Sequence, residues 1–393
     1  MTVIAYFSDI SIAAADLLLS VETPGGPPVL LPSVGSTSNL PPLSLSPTKL
    51  VRKILRLKHD KGVAVLLVAG TVSHLKKLVD FFEALRSGAL QPLPEFSRGH
   101  NTSDPLSVLR TAAMMTEKSG FPNFEFIAFH NGRCLESRHE QHIRLRFSPY
   151  FGGSALAGSG ASSLYNWLCD RGEKYVNIPS MSRDSVEDKH FRALNLIPSL
   201  LLEEDTRVSL KTIGNGVGGY YESFQVDQDG LHPQDAVLTV FASIEKKDKE
   251  LCLELRRVFF HLYSDDWLFI ISLSGEPRIL KAGQPLRIDM SEFHIYKVKP
   301  LFHDDEPPNW EIPRLVVQMP SAKHWRLTLY RETSTEPQQI KRFYHSQGAE
   351  QPILIISVKN QTVSLKIDQE RMDYYVKKFP SKTSDENSVK INN

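Results

Sequence analysis

TVIAYFSDISIAAAD, residues 2–16, carries the strongest fold signal in the chain. Two short apolar runs within residues 3–15 flank Ser8-Asp9, which predicts two β-strands around a tight turn. The second run ends on Asp16, set between Ala13-Ala14-Ala15 and Leu17-Leu18-Leu19. A carboxylate on a buried strand needs a partner, because burying an unpaired charge is costly.

Residues 24–48 hold seven prolines, which excludes regular helix and central strand and predicts an inserted loop with a mobile tip. Short strands follow at 51–57 and 61–71, the second ending at Gly70. Leu75, Leu78, Val79, Phe82 and Leu85 recur at helical spacing over 74–88. Residues 104–120 predict a second helix, with Asp104 as N-cap and Pro105 in the first turn. FEFIAFHNGRCLESR predicts a hairpin about Asn131-Gly132. Further helices are expected over 161–170 and 190–207, and a strand over 220–230. From about 237 strands dominate, interrupted by one charged helical segment, KKDKELCLELRRVFFHLY. PILIISVKNQTVSLKID reads as a hairpin about Asn360-Gln361, and the tail from about 381 is polar.

Paired helices between groups of antiparallel strands predict an α+β fold, a four-layer αββα sandwich with a β-rich C-terminal segment appended. The expected division is 1–265, including the 24–48 insert, and 266–393. Lys+Arg and Asp+Glu number 46 and 45, so binding nucleic acid by bulk charge is not expected. Cys134, Cys169 and Cys252 are too few and scattered for a disulfide framework or a four-thiolate zinc site, and read as buried thiols in a reducing compartment. The chain has no apolar run of about 18 residues, and its N-terminus lacks a basic leader, so a cytoplasmic protein away from membranes is expected.

Six segments, taken in order, resemble the proteasome β-subunit and its bacterial relative HslV, the N-terminal-nucleophile (Ntn) hydrolases. They are Thr2-Val3-Ile4-Ala5, Ile12 to Asp16, Arg52 to Leu57, Val68-Ala69-Gly70-Thr71, the hairpin about Asn131-Gly132, and Ala157-Gly158-Ser159-Gly160-Ala161. The resemblance spans about residues 2–240. It implies a threonine-type peptidase that cleaves amide bonds, with Thr2 as nucleophile once Met1 is removed. A free α-amine, with an ordinary pKa of about 7.7–8.0, is a suitable base on the same residue.

The resemblance further implies that Lys53 activates the Thr2 hydroxyl, Asp16 holds Lys53, the Gly70 N–H stabilises the oxyanion, and Ser159 binds the new terminus. Asp205 and Ser209 correspond to an Asp and Ser that orient the amine, but stand one residue further apart here, and Thr206 could substitute for the serine. Leu19, Val51, Val68 and Val72 fall where the family lines its first specificity pocket, which implies cleavage after apolar residues. A homo-oligomeric ring, a peptide or unfolded-protein substrate, a partner ATPase or regulator, and no cofactor are implied as well.

Each residue also has a plainer reading. Thr2 is a common second residue, and Lys53 could be a solvated strand lysine beside Arg52 and Arg56. Gly70 could simply end a strand, and Ser159 could cap the helix that follows. His139 and His142 fall on a strand and loop rather than a metal-binding helix face. Gly214-Asn215-Gly216-Val217-Gly218-Gly219 precedes a strand, not a helix, so it reads as a flexible turn rather than a phosphate cradle. Gly158-Ser159-Gly160 lacks the spacing of a serine-hydrolase elbow. The alternative to a peptidase is a catalytically inactive scaffold or interaction protein, or an amidase acting on a small amide.

Overall fold

The structure is a computed structural model that describes residues 2–21, 26–39, 45–97, 100–137, 153–162, 164–166, 198, 202, 211–214, 216–247, 250–273, 276–281, 283–331, 338–346, 354–368 and 370. The expected helix over 190–207 lies almost wholly outside these residues, as do His139, His142 and Cys169.

Strand dominates. The N-terminal hairpin pairs Ile4–Phe7 with Ile12–Asp16, Ile4 facing Ala15, and a 3-10 turn at Ser8–Ile10 joins them. It sits within a five-stranded sheet, flanked by Ser154–Ala157 on one side and by Tyr221–Asp227 and Gly230–Pro233 on the other. A second sheet of four strands runs Arg133–Glu136, Phe124–His130, Gly62–Gly70, Ile54–His59. The strands alternate, so each sheet presents one apolar set to the other. Ile4, Ala13, Ala15, Val65, Leu67, Ile127 and Phe129 form the core between the two sheets.

Helices α1 (Val72–Arg86) and α2 (Pro105–Lys118) cover the outer face of the four-stranded sheet, packing Leu75, Leu78, Phe82 and Leu109 against Leu66, Val68 and Phe126. Asp104 caps α2 through the Leu106 N–H at 3.3 Å, with Pro105 in the first turn, where a missing N–H costs nothing.

The expectation of an αββα sandwich is corrected here. The sheets are several and mostly small, and α1 and α2 are the only α-helices of more than five residues delimited among the described residues. The outer face of the five-stranded sheet is not met by a matching pair of described helices. Val3, Ala5, Phe7, Ile12 and Ala14 pack instead largely against Phe241, Phe259, Leu268, Ile270 and Val298, which belong to a seven-stranded sheet. Sequence order misled because strands and helices both bury one apolar face, and the partner of that face is chosen far along the chain.

The seven-stranded sheet runs Phe293–Val298, Trp267–Leu273, Glu250–Ser264, Val237–Lys247, His324–Arg331, Gln338–Ser346, with Arg278–Lys281 beside Glu250–Ser264. Its one parallel pair is Val237–Lys247 with His324–Arg331. Trp267–Leu273 is buried on both faces, consistent with a sequence apolar at every position but Ser272. The far face packs on a three-stranded sheet (Leu286–Asp289, Thr362–Ile367, Leu354–Lys359) and a short helix, α3 (Ile312–Val316).

Two further expectations change. The described part of the charged segment read as a helix is strand, and a bulge opposite Phe241/Ala242 shifts its register. Leu253 and Leu255 therefore share a face with Val258, Phe260 and Leu262, and the step of three mimics helical spacing. The division at 265/266 falls within the Asp265-Asp266 turn joining two neighbouring strands of one sheet. The described parts of the proline-rich insert are built in: Ser46–Leu50 pairs with Leu18–Val21, and Leu31 is buried against Leu18. Pro32 and Ser33 carbonyls accept from Ser272 Oγ at 3.1 Å and Arg257 Nε at 3.2 Å.

Candidate functional site

Asp16 ends its strand fully buried, and its carboxylate is saturated with donors. Oδ1 accepts from Val3 N at 2.8 Å and Lys53 Nζ at 3.1 Å, while Oδ2 accepts from Leu18 N and Gly218 N, both at 3.2 Å. Gly218 belongs to the glycine-rich run 214–219 expected as a flexible turn. Its φ of 117° is tolerable to glycine, and its amide is a ligand of the buried carboxylate.

Lys53 lies just before strand Ile54–His59, its carbonyl accepting from Val68 N at 2.9 Å. The side chain is 3% exposed. An ammonium has three hydrogens, and Nζ has three acceptors: Thr2 Oγ1 at 2.7 Å, Leu18 O at 2.7 Å and Asp16 Oδ1 at 3.1 Å. The solvated-lysine reading is therefore set aside. Burial pulls the Lys53 pKa down, with Asp16 opposing; burial pushes the Asp16 carboxyl up, with Lys53 and the Val3 and Gly218 amides opposing.

Thr2 is 4% exposed and is clamped by one loop. Its N–H donates to Ser159 Oγ at 3.2 Å, and its carbonyl accepts from Gly160 N at 3.0 Å. Gly158, at φ 91°, lies against the Thr2 carbonyl, where a Cβ would collide with it. The loop is held in turn by Glu125, whose Oε2 accepts from the Gly158 N–H.

Because Lys53 donates to Thr2 Oγ1, the hydroxyl proton is free to go elsewhere, and the cation favours the oxygen that loses it. Removal of Met1 would place a free amine on the Thr2 Cα beside Ser159. Ser159 itself is exposed, as are Gly70, Thr71 and Val72.

Gly70 ends strand Gly62–Gly70 at φ 114°, where a Cβ would stand 2.6 Å from the Asn123 carbonyl oxygen, so the backbone there already requires glycine. Asp205 and Ser209 lie outside the described residues. The four pocket residues are not alike. Leu19 is half-buried on a strand, Val51 is buried with its N–H on Leu17 O at 2.8 Å, and Val72 is exposed at the start of α1. Val68 is wholly buried on the helix-facing side of its strand, with Leu66 and Phe82.

Glu125 and Gly218 were missed from sequence. Glu125 carried a signal, since in FEFIAFH it shares a strand face with Ile127 and Phe129. Among the described residues no group of three or more His, Cys, Asp or Glu could hold a metal ion, and no helix is long and apolar enough to cross a membrane. Cys252 is buried, but Cys134 is exposed, against expectation. No family model matches the chain, and no curated protein matches it.

Proposed function

We propose that the chain is an amide-bond hydrolase that uses Thr2, freed by removal of Met1, as its nucleophile. The observation carrying this reading is the 2.7 Å hydrogen bond from Lys53 Nζ to Thr2 Oγ1, made by a lysine whose other two hydrogens are committed to Asp16 and Leu18. A buried lysine satisfied in this way is a fixed positive charge aimed at one hydroxyl oxygen.

In this reading Thr2 Oγ attacks the substrate carbonyl, and its proton passes to the α-amine. The oxyanion forms near the Gly70 N–H. The amine then returns the proton to the departing nitrogen as the C–N bond breaks, leaving an ester on Thr2. Water, deprotonated by the same amine, cleaves that ester and restores the hydroxyl. Ser159 orients the amine. The substrate is a peptide or unfolded protein cut after an apolar residue, and the protein works in the cytoplasm as a homo-oligomeric ring with a regulatory partner.

One observation favours a second reading, an inactive scaffold: with only 4% of its surface exposed, Thr2 offers a substrate little access. Intact mass separates the two at the first step, since a retained Met1 leaves no free threonine amine. The decisive test is a threonine-directed electrophilic probe followed by peptide mapping. Labelling of Thr2, abolished in Thr2→Ala while the fold is kept, supports the hydrolase; a processed, folded chain that is never labelled ends it.

A further inference from the structure

Glu125 is the ionisable residue on an otherwise apolar stretch of the inter-sheet face. Its strand sends Phe124, Phe126 and Ala128 to the helices, and Ile127 and Phe129 to the core between the sheets. Glu125 points with the second set, opposite Ala69, and is 9% exposed. A carboxylate in that position is expensive unless it has a specific partner. One partner is the Gly158 N–H.

Gly158 lies directly against Thr2. A Cβ on Gly158 would strike the Thr2 carbonyl and come within 3.2 Å of Ala69 Cβ. The next two residues supply Ser159 Oγ to the Thr2 N–H and the Gly160 N–H to the Thr2 carbonyl. The Glu125 carboxylate is thus linked to the atom that becomes the α-amine through the Gly158-Ser159 backbone and the Ser159 hydroxyl. Three charged side chains surround Thr2 on the packed strands: Lys53 on the hydroxyl, Asp16 behind Lys53, and Glu125 behind the Gly158–Gly160 loop.

We propose that Glu125 is a positioning residue for the Thr2 terminus: it locks the loop that grips Thr2, and its negative charge favours the protonated amine. This rests on the hydrolase reading for its consequence in turnover but not for its geometry. A carboxylate near an amine makes the amine a stronger base, so neutralising it makes the amine a weaker one. In that case the acid limb of the activity profile moves to lower pH.

The test uses the full chain with Met1 removed, comparing wild type, Glu125→Gln and Glu125→Ala. Glu125→Gln keeps an acceptor for Gly158 and loses only the charge. We expect it to fold, to lower kcat by about tenfold with KM little changed, and to shift the acid limb to lower pH. Glu125→Ala loses the acceptor as well and should lose more. Should that variant fail to fold, Glu125→Gln still decides the matter. Titration of the Thr2 amine by NMR, in wild type and Glu125→Gln, gives a readout independent of turnover. An amine that titrates identically in both overturns the proposal, whether or not the protein hydrolyses anything. A wild-type chain whose amine shifts as expected but which no threonine probe labels keeps the Glu125 assignment and removes the hydrolase.

Discussion

Arg52 and Lys53 are neighbours, and each is buried in an ion pair with a carboxylate from an adjacent strand. Lys53 meets Asp16 at 3.1 Å; Arg52 meets Glu222 through Nε at 2.7 Å. The two acids come from paired strands, Asp16 facing Tyr221 and Ala15 facing Glu222. There the likeness stops. The spare Lys53 hydrogen goes to a hydroxyl, whereas Arg52 spends its donors on structure: NH1 on the Asp266 carbonyl and the cation over the Tyr263 ring at 4.8 Å. Its backbone is tied to Lys299 O and Leu301 N at 2.9 and 3.2 Å. Burial alone would lower the Arg52 pKa, but Glu222 and Tyr263 outweigh it and the value rises, while burial wins for Lys53 and its value falls. One pair is a lock joining the five-stranded and seven-stranded sheets; the other holds a tunable charge against a reactive atom.

The largest effect should separate the two pairs. Lys53→Met should cut labelling of Thr2 by a threonine-directed probe by about 10³-fold per folded molecule. Arg52→Met should leave labelling within about tenfold but cost about 3–5 kcal/mol of stability, because Glu222 is left charged and buried. Replacing both partners sharpens the contrast. Arg52→Met with Glu222→Leu should return stability to within about 2 kcal/mol of wild type, since an apolar pair avoids the desolvation cost. Asp16→Leu with Lys53→Met should recover less, because the Val3, Leu18 and Gly218 amides lose their acceptor, and should remain unlabelled. Urea unfolding and intact-mass labelling measure the two quantities. Equal loss of labelling in Arg52→Met and Lys53→Met, both folded, would mean that the pairs form one functional unit.

The same comparison shows what was legible in the sequence. Asp16 stood out because it interrupts two apolar runs with a charge. Lys53 did not, since Arg52-Lys53 looks like any solvated basic step, and only the resemblance marked it. Glu222 in YESFQVD and Glu125 in FEFIAFH carry the same warning as Asp16, since alternation puts each acid on a face with apolar residues, Phe224 and Val226 for one, Ile127 and Phe129 for the other. The partners were not legible at all: Glu222 is 170 residues from Arg52, and Gly218 is 202 residues from Asp16. The hairpins were local and readable, as at Asn131-Gly132 and Asn360-Gln361, where positive φ marks the turns. The layer order was not, because one bulge near Arg256 disguised a strand as a helix and hid the sheet that covers the N-terminal hairpin.

A smaller effect concerns pH. The Asp16 carboxyl is raised above its ordinary 3.8, so the folded chain binds that proton more tightly than the unfolded chain. Its contribution to stability is then full below the ordinary value and is lost as pH rises through the folded one. Asp16→Asn does not titrate. The Tm of wild type minus that of Asp16→Asn should therefore decline as pH is raised from about 3.5 through the carboxylate range. A difference that grows over this interval would show that Lys53 and the three amides outweigh burial.

The least effect is expected at Tyr263, and it tests the structural pair alone. Its hydroxyl donates to Glu222 Oε1 at 3.0 Å, on the same oxygen that Arg52 Nε uses. Burial, reinforced by Glu222, holds the phenol pKa well above its usual value, so it stays a donor across the working pH range. Tyr263→Phe removes that one hydrogen bond and keeps the ring under Arg52 and against His261. The cost should be about 1 kcal/mol in urea unfolding, with Thr2 labelling unchanged. Glu222 Oε2 and Arg52 NH2 already have no hydrogen-bond partner among the described residues, so the pair has little slack. If Tyr263→Phe lowers labelling instead, the lock must transmit to the site through the Arg52-Lys53 peptide, and the division between the two ion pairs fails at its weakest point.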